Sequence, residues 1–118
     1  MTYFLPQPYK EERPWGDFTE FTLNEPSTVK LLRVRAGQEC SLQFHHKRTE
    51  YWYVCSGDGT VTIGTGSVEV KEGHTYTVPK ETPHRISARA TDIVILEISV
   101  GEFDEKDIER VEDRYGRA

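Results

Sequence analysis

Apolar and polar residues alternate with period two along most of this chain, and runs with a helical period are nearly absent. From Val29 to Arg35 the alternation puts Lys30, Leu32 and Val34 on one face and Val29, Leu31, Arg33 and Arg35 on the other. Tyr51 to Ser56 alternates in the same way, with Trp52 and Val54 on the side that also carries Glu50. Val61–Ile63 and Val68–Val70 flank Gly64-Thr65-Gly66, which predicts a hairpin. Thr75–Val78 stops at Pro79, which has no N–H to give to a sheet ladder. Asp92–Val100 is apolar on both faces, the pattern of a strand packed between two layers. Short strands at this spacing, punctuated by glycine, predict an all-β sandwich or barrel.

The two ends read differently. Residues 1–16, rich in proline and aromatics, predict an N-terminal arm that wraps the barrel, and the charged stretch Glu102–Arg110 predicts a short helical turn. The barrel then covers 17–100 and a C-terminal tail covers 101–118, within one domain of 1–118. At 118 residues and 13.6 kDa the chain can build a single real core without disulfide staples. Its 36% hydrophobic residues and many aromatics are not those of a disordered segment. The net charge of −5, with no basic block, argues against nucleic acid and membrane surfaces as partners. The longest aliphatic run, Ile93–Leu96, falls far short of the ~20 residues of a membrane span. Met1–Lys10 holds two prolines and no apolar segment, so no signal peptide is expected. Cys40 and Cys55 read as buried free thiols in a reducing cytosol, and the expected location is cytoplasmic.

Chemistry concentrates in two segments. Gln43 and His45, two apart on a strand, project to one face, and Glu50 follows across a tight turn. His84 comes after the Pro79–Pro83 loop and can complete the set from a neighbouring strand. Two imidazoles, one carboxylate and one amide oxygen suit Zn²⁺, Mn²⁺, Fe²⁺, Co²⁺ or Ni²⁺ better than Ca²⁺ or Mg²⁺, which prefer all-oxygen shells. Such a site stays net positive and can polarise a carbonyl or hydroxyl.

Both segments resemble the two cupin motifs, with Gln43 where many cupins have a first histidine. Arg13-Pro14-Trp15-Gly16, the run from Ser41 to Trp52, Pro83-His84-Arg85-Ile86 and the tail from Asp107 to Arg117 all look like type II mannose-6-phosphate isomerases. Ala36, Cys40, Glu81 and Ala88 depart from the pattern, Glu81 standing where cupins have glycine. The resemblance implies a jelly-roll barrel, the double-stranded β-helix, with Gln43, His45, Glu50 and His84 as ligands of one divalent ion, Zn²⁺ first. It also implies conversion of mannose 6-phosphate to fructose 6-phosphate through an enediolate. The commonest members carry a nucleotidyltransferase domain ahead of the cupin. No Gly-rich nucleotide loop precedes the barrel here, so guanylyltransferase activity is not expected.

Roles for the remaining residues follow from that reaction. Arg48, which matches an arginine of the family motif, stays charged and suits an oxyanion or a phosphate. Lys30, among apolar neighbours, and His46, with its suitable pKa, are the further catalytic candidates. Arg85, adjacent to His84, is the first choice for substrate phosphate, with Arg13 and Arg117 behind it and Glu97 as a buried acid near the site. Val94, Leu96, Ile98 and Val100 offer an apolar second face for a homodimer. The competing readings are a non-catalytic metal-bound sugar-phosphate binder and a cupin of other chemistry, such as an epimerase or oxygenase.

Overall fold

The computed structural model describes residues 7–116, which include eleven strands and no helix. Tyr9–Arg13 (β1) and Gly16–Glu20 (β2) form a hairpin of their own. Ser27–Val34 (β3), Arg48–Ser56 (β5), Thr75–Val78 (β8) and Ile93–Gly101 (β10) make one antiparallel sheet in the order β3-β10-β5-β8. Leu42–Phe44 (β4), Gly59–Ile63 (β6), Gly66–Glu69 (β7), His84–Ala88 (β9) and Glu109–Glu112 (β11) make the second, in the order β11-β4-β9-β6-β7.

The alternation read from the sequence sorts the side chains as expected. On β3, Lys30, Leu32 and Val34 are half-buried while Val29, Leu31 and Arg33 are exposed. The β6–β7 hairpin closes through Gly64-Thr65, with Ile63 opposite Gly66. The inner faces of the two sheets meet on Trp52, Val54, Val61, Val78, Ile86, Ile93 and Ile95, all fully or nearly fully buried. This core fills one end of the barrel only. Followed toward the other end, β5 turns from Val54 and Trp52 to Glu50 and Arg48, β10 from Ile93 and Ile95 to Glu97 and Ser99, and β9 from Ile86 to His84. The interior is therefore graded from apolar to ionisable, with Trp52 edge-on to His84 at the boundary, ring centroids 5.4 Å apart.

Both ends differ from expectation. Residues 1–6 of the expected arm lie outside the described residues; from Tyr9 onward it is a hairpin, with Arg13 opposite Gly16 across Pro14-Trp15, that extends through residues 17–20, which the sequence places in the barrel. It pairs with neither barrel sheet, and Trp15 at its tip stays exposed. The helical turn expected in Glu102–Arg110 does not form. Asp104–Asp107 makes a single turn, closed by the Asp107 N–H on the Asp104 carbonyl at 2.9 Å, and the chain then runs into β11 along the edge of β4. An isolated helical turn fixes many dihedrals for one hydrogen bond, whereas the free β4 edge offers a ladder. The thiols also differ: Cys40 is half-buried, but Cys55 is exposed.

Two turns hold the motif in place. Gly57 has φ +124°, and a Cβ there would sit 2.5 Å from the Asp92 carbonyl oxygen, so no side chain fits. Glu81, where the cupin pattern has glycine, has φ 60°, and its N–H donates to the His45 carbonyl at 2.6 Å. A side-chain-bearing residue in the left-handed region costs about 1–2 kcal/mol relative to the right-handed one. Glu81→Gly is expected to stabilise the fold by about 0.5–1 kcal/mol, the relief exceeding the extra chain entropy of glycine. The midpoint of urea unfolding measures it.

Candidate metal centre

Three buried side chains converge at the ionisable end of the barrel. His45 follows β4, Glu50 lies on β5 and His84 opens β9, and one donor atom from each falls within 4.8 Å of the others. His45 Nε2 is 3.8 Å from Glu50 Oε2, and His84 Nε2 is 3.5 Å from Glu50 Oε1. Bonds of about 2.1 Å to a common ion set neighbouring donors about 3–3.5 Å apart, so small movements would close this cluster on a metal. Gln43 pairs directly with His84 across β4–β9 and lines the same cavity.

The hydrogen bonds orient the rings for ligation. His45 Nδ1 donates to the Asp107 carbonyl at 2.6 Å and His84 Nδ1 to the Thr82 carbonyl at 2.9 Å, which leaves each Nε2 with its lone pair facing the cluster. His84 Nε2 and Glu50 Oε1 are buried with no hydrogen-bond partner among the described residues. Buried polar atoms are seldom left without partners, and two such atoms facing each other at 3.5 Å fit a cation between them. The donor set of two imidazoles and a carboxylate suits a divalent transition ion.

Arg48 partly fills that need. Its Nε donates to Glu50 Oε2 at 3.1 Å and its Nη2 to His45 Nε2 at 3.0 Å. Burial lowers the pKa of both imidazoles, that of His84 to about 4, with the nearby Arg48 charge acting in the same direction. Both rings are therefore neutral near pH 7; the His84 Nε2 lone pair has no hydrogen-bond partner among the described residues, while that of His45 accepts from Arg48, which a bound ion would displace. Burial raises the Glu50 carboxyl against the opposing pull of Arg48. Burial first, and the charge of Glu50 second, push Glu97 up to about 7. Glu97 lies on β10, directly opposite Trp52 on β5 and Lys30 on β3.

A cavity of about 300 Å³ opens over these groups, lined among others by Lys30, Gln43, Arg48, Glu97, Glu105 and Ile108. That size lies at the lower end for small-molecule sites. Of the residues expected to act there, Gln43, His45, Arg48, Glu50, His84, Glu97 and Lys30 all line it.

Three do not. His46 points outward, 3.3 Å from Glu109 and edge-on to Phe44, because strand alternation sends it to the face opposite His45. Arg85 follows the same rule beside His84: it reaches the outside of its sheet, donating to the Cys40 carbonyl and to Glu112. Arg13 stands on the hairpin, bonded to Glu11 at 2.8 Å. Arg117 lies outside the described residues.

The sequence reading missed the turn that follows β10. Phe103, Asp104, Glu105 and Asp107 touch Lys30, Arg48 and His45, yet in sequence they are only part of a charged stretch. The match of the Asp107–Arg117 tail to the family was the one available signal.

Glu50→Gln is expected to weaken Zn²⁺ binding at least tenfold, since it removes the ligand charge. For the unsubstituted chain, metal affinity is expected to fall as pH drops. Burial raises the pKa of the Glu50 carboxyl, so protons compete for that ligand above the usual carboxylate range, whereas His84 stays neutral down to about 4. Titration calorimetry from pH 8 to 5 measures both effects.

Comparison with known proteins agrees with this geometry. Residues 7–113 match the family described as mannose-6-phosphate isomerase C-terminal. The chain is 36% identical over 107 residues to the alginate biosynthesis protein AlgA of Pseudomonas aeruginosa, covering 89% of this chain and 22% of that protein. It is 34% identical over 110 residues to the xanthan biosynthesis protein XanB of Xanthomonas campestris, covering 92% and 24%. It thus spans less than a quarter of the length of these curated relatives. Among solved structures, a proposed sugar phosphate isomerase from Acidithiobacillus ferrooxidans superposes with a TM-score of 0.58 at 27% identity, covering 66% of this chain and 51% of that one. Oxalate decarboxylase from Bacillus subtilis, with a TM-score of 0.67 at 24% identity over 78% of this chain and 25% of that one, shares the fold. Since the family match runs unbroken through both imidazoles, the carboxylate between them and the turn that orients His45, the chain belongs to the mannose-6-phosphate isomerase C-terminal family of cupin domains.

Proposed function

We propose that this cupin domain is a metal-dependent aldose–ketose isomerase that interconverts mannose 6-phosphate and fructose 6-phosphate. The observation that carries the reading is the buried His45, Glu50 and His84 cluster beneath a cavity that also holds Glu97, Arg48 and Lys30. The family and the solved structure of a proposed sugar phosphate isomerase support the substrate class. Zn²⁺ is the first choice of ion, with Mn²⁺, Fe²⁺, Co²⁺ and Ni²⁺ compatible with the same donors.

The reaction moves one proton between C1 and C2 of an open-chain sugar and a second between the oxygens on those carbons, and negative charge develops on the two oxygens in between. A bound divalent ion supplies positive charge against that development. The residues of the chain do the rest. Arg48, buried and permanently charged, is suited to hold an anionic oxygen at a fixed place. The walls built by Leu32, Val34, Trp52 and Ile86 limit water around the sugar. Glu97 is the group best suited to accept and return the proton, since its carboxyl lines the cavity and is not one of the three clustered donors. Lys30, the catalytic candidate from sequence, is already engaged by Glu105 at 2.9 Å.

A homodimer through the outer face of β3, β10 and β5 belongs to the same proposal. Leu31 and Tyr53 flank Leu96 there in one cross-strand row, and Leu31 is 67% exposed.

Incubation of the purified chain with mannose 6-phosphate and Zn²⁺, Mn²⁺ or Co²⁺ is expected to yield fructose 6-phosphate. No product with any of these ions rejects the reading. Glu97→Gln is expected to lower kcat by about 10²–10⁴-fold, with Zn²⁺ retained.

A further inference from the structure

The substrate assigned above carries a phosphate, and the arginine first expected to receive it, Arg85, faces away from the cavity. The cations lining the cavity are Lys30, Arg33 and Arg48. Arg33 is turned to Asp92 at 3.2 Å. Arg48 is held at the cluster by Glu50, His45 and the Asp104 carbonyl, where the isomerase reading uses it for an anionic oxygen of the sugar rather than for the phosphate. Lys30 is placed differently. Its ammonium sits 4.4 Å from the centroid of the Phe103 ring, the same ring that Arg48 approaches at 4.5 Å. Its anionic contact is Glu105 Oε1 at 2.9 Å, from a side chain that is 77% exposed on the Asp104–Asp107 turn.

We propose that Lys30 is the phosphate-binding residue of this cavity, and that the Glu105 carboxylate occupies the phosphate's place until a phosphate monoester displaces it. The inference rests on the sugar-phosphate reading for the identity of the ligand.

Three physical points carry it. First, an exposed lysine–carboxylate pair contributes little net stability, so a ligand dianion exchanges with Glu105 at small cost. A phosphate monoester brings close to two negative charges at neutral pH and three acceptor oxygens, against the single charge of Glu105. Second, Lys30 does not have to be ordered on binding: the Phe103 face fixes its ammonium at the cavity wall, and Arg48 over the same ring adds a second positive charge nearby. Third, Glu105 swings from a side chain on a turn whose backbone is separately tied by the Asp107-to-Asp104 and His45-to-Asp107 hydrogen bonds. Its departure therefore leaves the ring orientation of His45 undisturbed. Phosphate at Lys30 would leave the rest of the sugar lying in the cavity toward the cluster.

Lys30→Met keeps most of the stem against Phe103 and removes the charge, and Glu105→Gln keeps the shape of the competing side chain and removes its charge. Binding of mannose 6-phosphate, mannose and inorganic phosphate to the Zn²⁺-loaded chain and to each variant is followed by calorimetry. Lys30→Met is expected to weaken mannose 6-phosphate about tenfold, the loss of one charge-assisted contact, and Glu105→Gln to tighten it severalfold. Mannose is expected to bind all three forms alike. Inorganic phosphate is expected to follow the same order as mannose 6-phosphate. The opposite signs separate the proposal from simple damage to the fold, which would weaken binding in both variants. A change below twofold in both variants, the same sign in both, or a parallel change for mannose overturns it. Absence of turnover alone would reject the isomerase reading while leaving these binding differences to stand or fall separately.

Discussion

Everything at the ionisable end of this barrel depends on one buried carboxylate. Glu50 sits on a strand whose next two inward residues are Trp52 and Val54, so its charge has almost no access to water. Such a charge persists only with a cationic partner, and the fold provides one on the same strand, Arg48 two residues away, while the neutral rings of His45 after β4 and His84 on β9 face the carboxylate from other elements. Two of the facing atoms still lack hydrogen bonds. The cost of that shortfall is what a divalent ion would remove, so the same feature that makes the metal-free end of the barrel less stable makes it receptive.

The second constraint is positional. A cupin interior has room for either a complete apolar core or a site, and this chain divides the space along the strand axis. Because the grading runs along β5, β9 and β10 together, the apolar half can hold the sheets at fixed spacing while the polar half stays open. The turn at 103–108 then crosses the opening and touches Lys30, Arg48 and His45. Orientation of the His45 ring and placement of Lys30 and Arg48 are thus tied to one short segment.

Strand patterning and the cluster itself were legible in the sequence. Alternation along β3 and β5 needed no tertiary information, since side chains on a strand must take opposite faces in turn. Gln43, His45 and Glu50 lie close in sequence, so their spacing encodes their geometry, and the Pro-His of the second segment located the other imidazole. The errors have a common origin. Arg85 is chosen from sequence for its adjacency to His84 and His46 for its intrinsic pKa, whereas on a strand the neighbour of an inward residue faces the other way. The charged run before β11 was read as a helical turn because its composition is polar, while its conformation is set by the open edge of β4.

Local order in the chain is enough to say that this is a β-barrel with imidazoles and a carboxylate grouped inside it. Which groups complete the site was settled by contacts between residues far apart. His45 and Asp107 are 62 positions apart, and Lys30 and Glu105 are 75 apart. Periodicity and spacing decay over a few residues, so they cannot report such pairs. The closure of two sheets brings these residues together, and with them come the tautomer of His45, the pairing of Lys30 and the shape of the cavity.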